Sequence, residues 1–434
     1  MTLAAHSEAS LQLALPFSVE VGANVLAEQG ELEVRGAVFT RVEVVDFILD
    51  IAGYAVGQPL HKKRVLEPSF GGGNFLLPMI SRLFVAWRAS APTGTAQADL
   101  AGAIRAVELH GATFAATRAM VIAHLVNEGL SGESSVALAD CWLVQDDFLL
   151  APLDRTFDFV LGNPPYVRQE LIPALVLAEY RRRYATLYDR ADLYIPFIER
   201  SLLLLSNGGC VGFICADRWM KNRYGGPLRK LVADNFHLKM VVDMTDTPAF
   251  HSDVIAYPAI TVISREKRAP TRIAFRPKIE AGTLLALSAA LRAGRILQDC
   301  SLVRQLDKVT DNAQPWLLGS SDQTALIRRL EENFPTLEEA ACKVSIGVAT
   351  GADRAFIGDF DAMDVAPDRK VRLVTTDDIM SGEVRWRGQG VINPFADEGG
   401  LVDLRHYPRL ARYLEVRRDV IAERHCAKKT PMNW

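Results

Sequence analysis

Four consecutive residues, Asn163-Pro164-Pro165-Tyr166, carry the most specific chemistry in the chain. Two prolines fix the backbone and remove N–H donors, which leaves carbonyls free to point outward. The Asn163 side-chain oxygen and the Pro164 carbonyl then form a pair of acceptors for both protons of one –NH₂ group. An aryl amine needs such a pair, because its lone pair is delocalised into the ring. Two acceptors hold the nitrogen pyramidal and localise the pair for attack. Tyr166 adds a face on which an extruded base can stack. A structural proline turn is the competing reading. The motif's place at the end of an apolar run, 157–161, and downstream of a glycine-rich turn argues against it.

That glycine-rich turn is Leu66-Glu67-Pro68-Ser69-Phe70-Gly71-Gly72-Gly73-Asn74-Phe75. It follows one β-type run and opens a helical stretch. Glycines such as Gly71 and Gly73 let the backbone approach a ligand, and the helix start offers unpaired N–H groups to a carboxylate. A tight strand-to-helix turn with no ligand has the same pattern. The next run ends in Glu108, an acidic residue placed to accept from both hydroxyls of a ribose or to be a solvated strand end. Further on, Asp146-Asp147-Phe148 offers Asp147 to an adenine amino group and Phe148 to its ring, or is an acidic loop with one core aromatic.

The elements that must position these residues are legible as short apolar runs alternating with helical periodicity. Strands are expected at 64–67, 104–108, 135–139, 157–161, 210–216, 238–243 and 259–264, and helices at 42–51, 75–89, 112–127, 193–205 and 227–235. The insert 91–99 reads as a surface loop. Such alternation predicts an α/β fold, a doubly wound, mostly parallel sheet of seven strands with ligands at the carboxyl ends of the strands. Composition shifts at Lys267-Arg268-Ala269-Pro270-Thr271, which reads as a linker. The expected organisation is an N-terminal segment 1–35, a catalytic domain 36–267 and a C-terminal region 268–434. In the last, helices near 322–332 and 409–424 mix with short strands and glycine turns.

Hydrophobic residues make up 49% and charged residues 23% of the 434-residue chain, ordinary values for a globular protein. The net charge of −3 excludes a general polyanion binder but leaves room for a local basic face. Candidates for phosphate contact are Arg181-Arg182-Arg183, the run Arg218, Lys221, Arg223, Arg229 and Lys230, and a tail from Asp403 to Trp434 rich in arginine. The six cysteines are scattered, with no paired spacing and no zinc pattern, so no metal is expected and a reducing compartment fits. No signal peptide is expected, and no apolar run approaches the ~20 residues that span a bilayer, so the cytoplasm is the default and no membrane partner is expected.

The order of these motifs resembles that of the gamma-class N6-adenine DNA methyltransferases of bacterial restriction–modification systems, the TaqI-type and XhoI-type modification enzymes. The likeness runs from about residue 36 to 264. It implies a Rossmann-like class I methyltransferase fold, S-adenosylmethionine as cofactor, double-stranded DNA as partner with a cognate restriction endonuclease as functional counterpart, and a C-terminal target-recognition region. It also implies a direct attack of the base amine on the sulfonium methyl, with no covalent enzyme nucleophile. On this likeness Thr40, in Phe39-Thr40-Arg41, belongs to a segment closing over the methionine end, although relatives usually have Thr-Pro where this chain has Thr40-Arg41. Glu67, Gly71 and Gly73 match the cofactor loop, Glu108 the ribose ligand, and Asp147 with Phe148 the cofactor-adenine site. The catalytic loop is 163–166, with Asn163 shared between catalysis and the cofactor side. Phe250 falls where the family places a second aromatic against the flipped adenine, or is a core plug. Asp192-Leu193-Tyr194 and Asn207-Gly208-Gly209 resemble the helix and turn that follow the catalytic loop. The segment 346–351 resembles the start of a recognition region, and relatives with that segment continue well past the position of Trp434, which raises the expectation of a shortened recognition region.

Two other readings stay open at this point: N-methylation of a protein glutamine or of RNA by the same amine chemistry, and a DNA-binding subunit with impaired catalysis. Cytosine-C5 methylation is excluded, because it needs a thiolate commonly supplied by a Pro-Cys dipeptide, and none occurs. N4 of cytosine poses the same chemical problem as N6 of adenine, and Asn before Pro-Pro tilts the choice to adenine.

Overall fold

Val65 and Leu66 lie next to each other in a three-residue strand, yet they pack into different hydrophobic clusters. Successive strand residues face opposite sides, so this strand has a core on each face. The computed structural model describes residues 39–427, apart from 154–155, 252–256, 294–301, 308, 311, 317, 319–325, 327–328, 331–332, 344–346, 381 and 425. The expected N-terminal segment 1–35, most of the helix at 322–332 and the last residues of the tail lie outside the described residues.

The chain forms two units, Met1–Arg328 and Arg329–Trp434. The first is built on β1 (Val65–Glu67), β2 (Ile104–Glu108), β3 (Leu143–Gln145), β4 (Phe157–Gly162), β5 (Leu205–Ala216), β6 (His237–Asp243), β7 (Pro258–Ser264), β8 (Thr271–Phe275) and β9 (Arg304–Leu306). Their spatial order is β3-β2-β1-β4-β5-β7-β6-β8-β9. Pairing is parallel from β3 through β5 and between β6 and β8, and antiparallel where β7 and β9 join. The first seven positions are the expected class I methyltransferase sheet, and two further strands extend it.

That extension corrects the expected boundary. Lys267 and its neighbours do not end the domain: Thr271–Phe275 pairs in parallel with β6, and the division falls at Arg328. Charged and proline residues marked a turn between two strands, which has the same composition as a linker. The expected strand at 135–139 is also corrected. It lies in a helix, Gly132–Trp142, whose N-cap Ser131 accepts from the Ser134 N–H at 3.2 Å. Ser135, Leu138, Ala139 and Trp142 are buried, a helical spacing, and the third strand follows directly at β3. Within the insert 91–99, Thr95 caps a short helix, Ala96–Leu100, where a loop was expected.

Four helices matter for the site: α1 (Val42–Ala52), α2 (Leu76–Ala89), α3 (Ala174–Arg183) and α4 (Tyr194–Leu203). Helix α1 ends at Gly53, where φ is +89°. It is pinned to α2 by Arg82, which donates to Asp46, Asp50 and the Tyr54 carbonyl. No element was expected where α3 lies, because only Val176 and Tyr180 of that helix are buried. The second unit carries an antiparallel sheet, β10 (Ile357–Asp359), β11 (Lys370–Arg372) and β12 (Gln389–Ile392), in the order β10-β12-β11. The helix expected at 409–424 is broken into Pro408–Glu415 and Arg418–Ala422, and both pieces pack on a small core that includes Phe356, Val391, Leu410 and Ile421.

Arg229, one of the expected phosphate contacts, is 2% exposed and donates to the carbonyls of Trp219 (2.6 Å), Asn222 (2.7 Å) and Ala313 (2.8 Å). It is a structural cap inside the first unit. Arg229→Met keeps the bulk but strands three carbonyls, so it lowers the unfolding free energy by about 3 kcal/mol. Urea denaturation of the two proteins checks this, and an unchanged midpoint would refute it.

Candidate active site

The carboxyl ends of β1, β2, β3 and β4 open into one cleft. It lies where the chain order reverses around β1, the place at which open α/β sheets bind ligands. Of the residues expected to act, Thr40, Glu67, Gly71, Glu108, Asp147, Phe148, Asn163 and Pro165 line the cleft. Gly73, Pro164, Tyr166 and Phe250 are not among its lining residues.

The turn after β1 is shaped by Gly71 and Gly73, whose φ values of +47° and +80° disfavour any side chain. Gly71 donates its N–H to Glu108 Oε2 at 2.9 Å, and its carbonyl accepts from the Thr117 hydroxyl at 2.7 Å. A Cβ on Gly71 would meet nothing within 4 Å, whereas one on Gly73 would come within 3.2 Å of Thr117. Gly71 thus faces open cleft, and Gly73 seats the turn on its neighbours. The other Glu108 oxygen accepts from the His110 N–H at 2.9 Å. One carboxylate therefore ties two turns together and retains lone pairs toward the cleft.

Glu67 is 2% exposed, and its Oε2 has no hydrogen-bond partner among the described residues. Burial, and then the neighbouring Glu108, push its carboxyl well above the usual range. Asp147 sits across the cleft on the loop after β3. Its Oδ1 accepts from the Leu149 N–H at 2.8 Å and its Oδ2 from the Tyr180 hydroxyl. Phe148 packs with its centroid 4.8 Å from Phe197, and the Arg200 guanidinium lies 5.1 Å from it.

The 163–166 loop follows β4. Asn163 Nδ2 donates to the Thr40 hydroxyl at 3.3 Å, and Asn74 Nδ2 donates to the Thr40 carbonyl at 3.1 Å. Thr40 is held from the other side by an antiparallel bridge to Phe250, flanked by Arg41 N–H to Ala249 O and His251 N–H to Phe39 O. Phe250 is half-buried against the first hydrophobic cluster. Tyr166 is half-buried against the second, with its ring 6.4 Å from Tyr194, whose hydroxyl is 3.0 Å from that of Tyr224. Burial raises the Tyr166 pKa well above the ordinary phenol value, so the ring is a neutral platform. Among the described residues no group of His, Cys, Asp and Glu is arranged to hold a metal ion, and no helix is long and apolar enough to cross a membrane.

Comparison with known proteins places this geometry. Residues 119–250 match the Eco57I restriction-modification methylase family. Over 416 residues the chain is 70% identical to the type II methyltransferase M.PaeR7I of Pseudomonas aeruginosa, which covers 96% of this chain and 72% of that protein. It is 50% identical to the type II methyltransferase M.XhoI of Xanthomonas vasicola over 92% of this chain and 74% of that one. The chain belongs to the type II methyltransferases of bacterial restriction–modification systems. Among solved structures, a nuclease-deletion mutant of the type ISP restriction-modification enzyme LlaGI, in complex with a DNA substrate mimic, has a similar fold. The TM-score is 0.51 at 17% identity, over 75% of this chain and 30% of that one.

A type II methyltransferase of this fold modifies DNA with a methyl group from S-adenosylmethionine, and the cleft fits that cofactor. Glu67, Glu108, Asp146 and Asp147 give it an acidic lining for a ligand with a sulfonium and an ammonium, and Phe39, Phe70 and Phe197 give it apolar walls. Residues of the methyltransferase site that were not expected from sequence include Phe197, which walls the cleft, Asn74, which positions Thr40, and Tyr180, which reaches Asp147. Asn74 stands in the quoted glycine turn, whereas Tyr180 gave no local signal. Several expected phosphate contacts have acidic partners. Arg182 and Arg183 bind Glu179, Lys221 binds Asp217, Lys230 binds Asp234, Arg405 binds Asp403, and Arg409 binds Asp364.

The raised Glu67 pKa makes the stability of the ligand-free methyltransferase depend on pH. The folded chain keeps this proton where the unfolded chain has lost it, so stability falls as pH rises from the ordinary glutamate value toward the folded one. Glu67→Gln removes that loss. Its melting temperature exceeds that of the parent by about 2–4 °C at about pH 8, and the two converge near about pH 5. Calorimetry across that range tests the assignment, and a difference that does not vary with pH contradicts it.

Proposed function

We propose that this methyltransferase modifies the exocyclic N6 of adenine at a specific sequence in double-stranded DNA, with the target base turned out of the helix. The observation that carries the reading is the Asn163–Thr40 hydrogen bond at the end of β4. An amide has one donor end and one acceptor end. With Nδ2 directed to Thr40, the Asn163 oxygen is the end presented as acceptor, beside a proline carbonyl that also accepts.

S-adenosylmethionine supplies a methyl group on a sulfonium, a leaving group good enough for direct displacement. Asn163 and the Pro164 carbonyl take the two amine protons as hydrogen bonds, and Tyr166 stacks on the base, with Phe250 packing on its other side. On the cofactor side, Glu108 accepts from the ribose and Asp147 from the adenine amino group, while Phe148 borders its ring. Thr40, Glu67, Gly71 and Gly73 shape the methionine end, which Asn163 also borders. A restriction endonuclease of the same sequence specificity is the functional counterpart in this reading. Adenine is favoured over cytosine by Asn163, the residue that stands before Pro-Pro.

Incubating mixed genomic DNA with S-adenosylmethionine and the protein, then sequencing for modified bases, yields N6-methyladenine at one short motif. N4-methylcytosine at that motif overturns the base assignment, and label found in protein or RNA but not in DNA overturns the substrate. Asn163→Ala reduces kcat by about 10²–10³-fold, because the transition state loses one preorganised partner, and changes cofactor Kd less than about threefold. Thr40→Val frees the amide to turn. It lowers kcat by about tenfold or more, and Thr40→Ser restores it. Equal losses in the valine and serine variants would remove the positioning role.

A further inference from the structure

Helix α3 follows the 163–166 loop after a short helical turn, Gln169–Leu171, and α3, its C-cap Tyr184 and Arg200 of α4 together fasten the loop 147–151. Tyr184 donates to the Leu149 carbonyl at 2.6 Å, and Arg183 to the Leu150 carbonyl at 3.3 Å. Arg200 donates to the carbonyls of Phe148 and Ala151. The Tyr180 hydroxyl donates to Asp147 Oδ2. Of these contacts, only that of Tyr180 ends on a side chain that lines the cleft. Tyr180 is 1% exposed and lines the cleft itself.

We propose that Tyr180 is a positioning residue for the adenine of the cofactor: its hydroxyl donates to Asp147 Oδ2 and holds the carboxyl turned so that a remaining lone pair meets the purine amino group. The inference rests on the placement of that adenine at Asp147 in the reading above. An ionised carboxylate only accepts, whereas a protonated one brings an O–H that opposes the amino group it should recognise. Burial favours the protonated form and raises the Asp147 pKa. The Tyr180 hydroxyl and the Leu149 N–H oppose this, Asp146 on the same loop adds to the rise, and Arg200 of α4 reduces it. Tyr184, at the C-cap of α3, also interacts with Asp147, and Arg183 of α3 acts on Tyr180. Tyr180 therefore supplies the side-chain hydrogen bond that holds the charge where it is needed, and without it the balance moves toward the neutral acid.

The test measures binding of S-adenosylhomocysteine to the full chain by calorimetry from about pH 5.5 to about pH 8. The ligand's own ionisation is common to all proteins and cancels in ratios. For Tyr180→Phe the Kd ratio to the parent stays within about threefold at the upper end and rises by about tenfold toward the lower end, because each pH unit below a carboxyl pKa costs about tenfold in its ionised fraction. In an Asp147→Asn background, which has no proton to gain, Tyr180→Phe adds no pH dependence. Tyr184→Phe, which breaks a bond to a carbonyl of the same loop, leaves the profile unchanged. A Tyr180→Phe ratio constant with pH, or a Tyr184→Phe profile equal to it, reduces Tyr180 to a packing residue and overturns the inference. An Asp147→Asn protein that binds as tightly as the parent instead overturns the placement of the adenine. Should Tyr180→Phe not fold, 3-fluorotyrosine at position 180, a stronger donor, moves the affinity profile to lower pH. An unmoved profile then decides against the proposal.

Discussion

Parallel pairing of β1 with β2 on one side and β4 on the other is the constraint from which the site follows. Val65 is level with Ile104 of β2 and with Phe159 of β4, so three chain reversals emerge at one edge of the sheet. Glu67 is level with Ala106, which leaves Glu108 two residues further along, within reach of the β1 turn. Its carboxylate then accepts from Gly71 and from His110. Two short buried strands and one bidentate acceptor thus fix the relative position of the glycine turn, the acidic strand end and the loop after β4.

The same edge concentrates acidic groups in a poorly solvated cleft. Glu67 and Asp147 are both buried, and burial raises the pKa of both. They are treated differently. Asp147 has both oxygens hydrogen-bonded, one by its own loop and one by Tyr180, while Glu67 Oε2 has no partner among the described residues. A buried carboxyl without a partner is costly in the empty protein and becomes favourable when a cation enters. The cleft is in this sense built for its charged cofactor at some expense to the ligand-free fold, as binding sites commonly are.

The parts of this arrangement that lie within one stretch of chain were legible in the sequence. Apolar strands at β2, β4, β6 and β7, the glycine turn and the 163–166 loop are local patterns with local causes. Confusion arose where one composition serves two structures. Residues 135–139 contain small and β-branched residues suited to a strand, but the capping serine at Ser131 and the spacing of Ser135, Leu138 and Trp142 make a helix, with the strand beginning at Leu143. Lys267 and Pro270 suited a linker and belong to a turn before β8. Tyr180 and Arg229 were not readable at all, because what makes each important is a partner distant in sequence: Asp147 for one, Ala313 for the other.

The tie between Thr40 and Asn163 joins residues 123 apart in the chain, and it bears on how the amine is chosen. A pair of acceptors recognises an –NH₂ group whichever ring carries it, so in the proposed reading Asn163 before Pro-Pro tilts the choice of base and the walls around the ring must complete it. The proposed stacking partner is braced: the Tyr166 hydroxyl approaches the Ile214 carbonyl at 3.5 Å, and its ring lies beside that of Tyr194, which is hydrogen-bonded to Tyr224. Phe250, by contrast, is bridged to the same Thr40 that holds the amide. In the proposed reading, the residue that orients Asn163 is therefore joined through the backbone to the aromatic that packs on the base, while the other aromatic is braced from a separate helix.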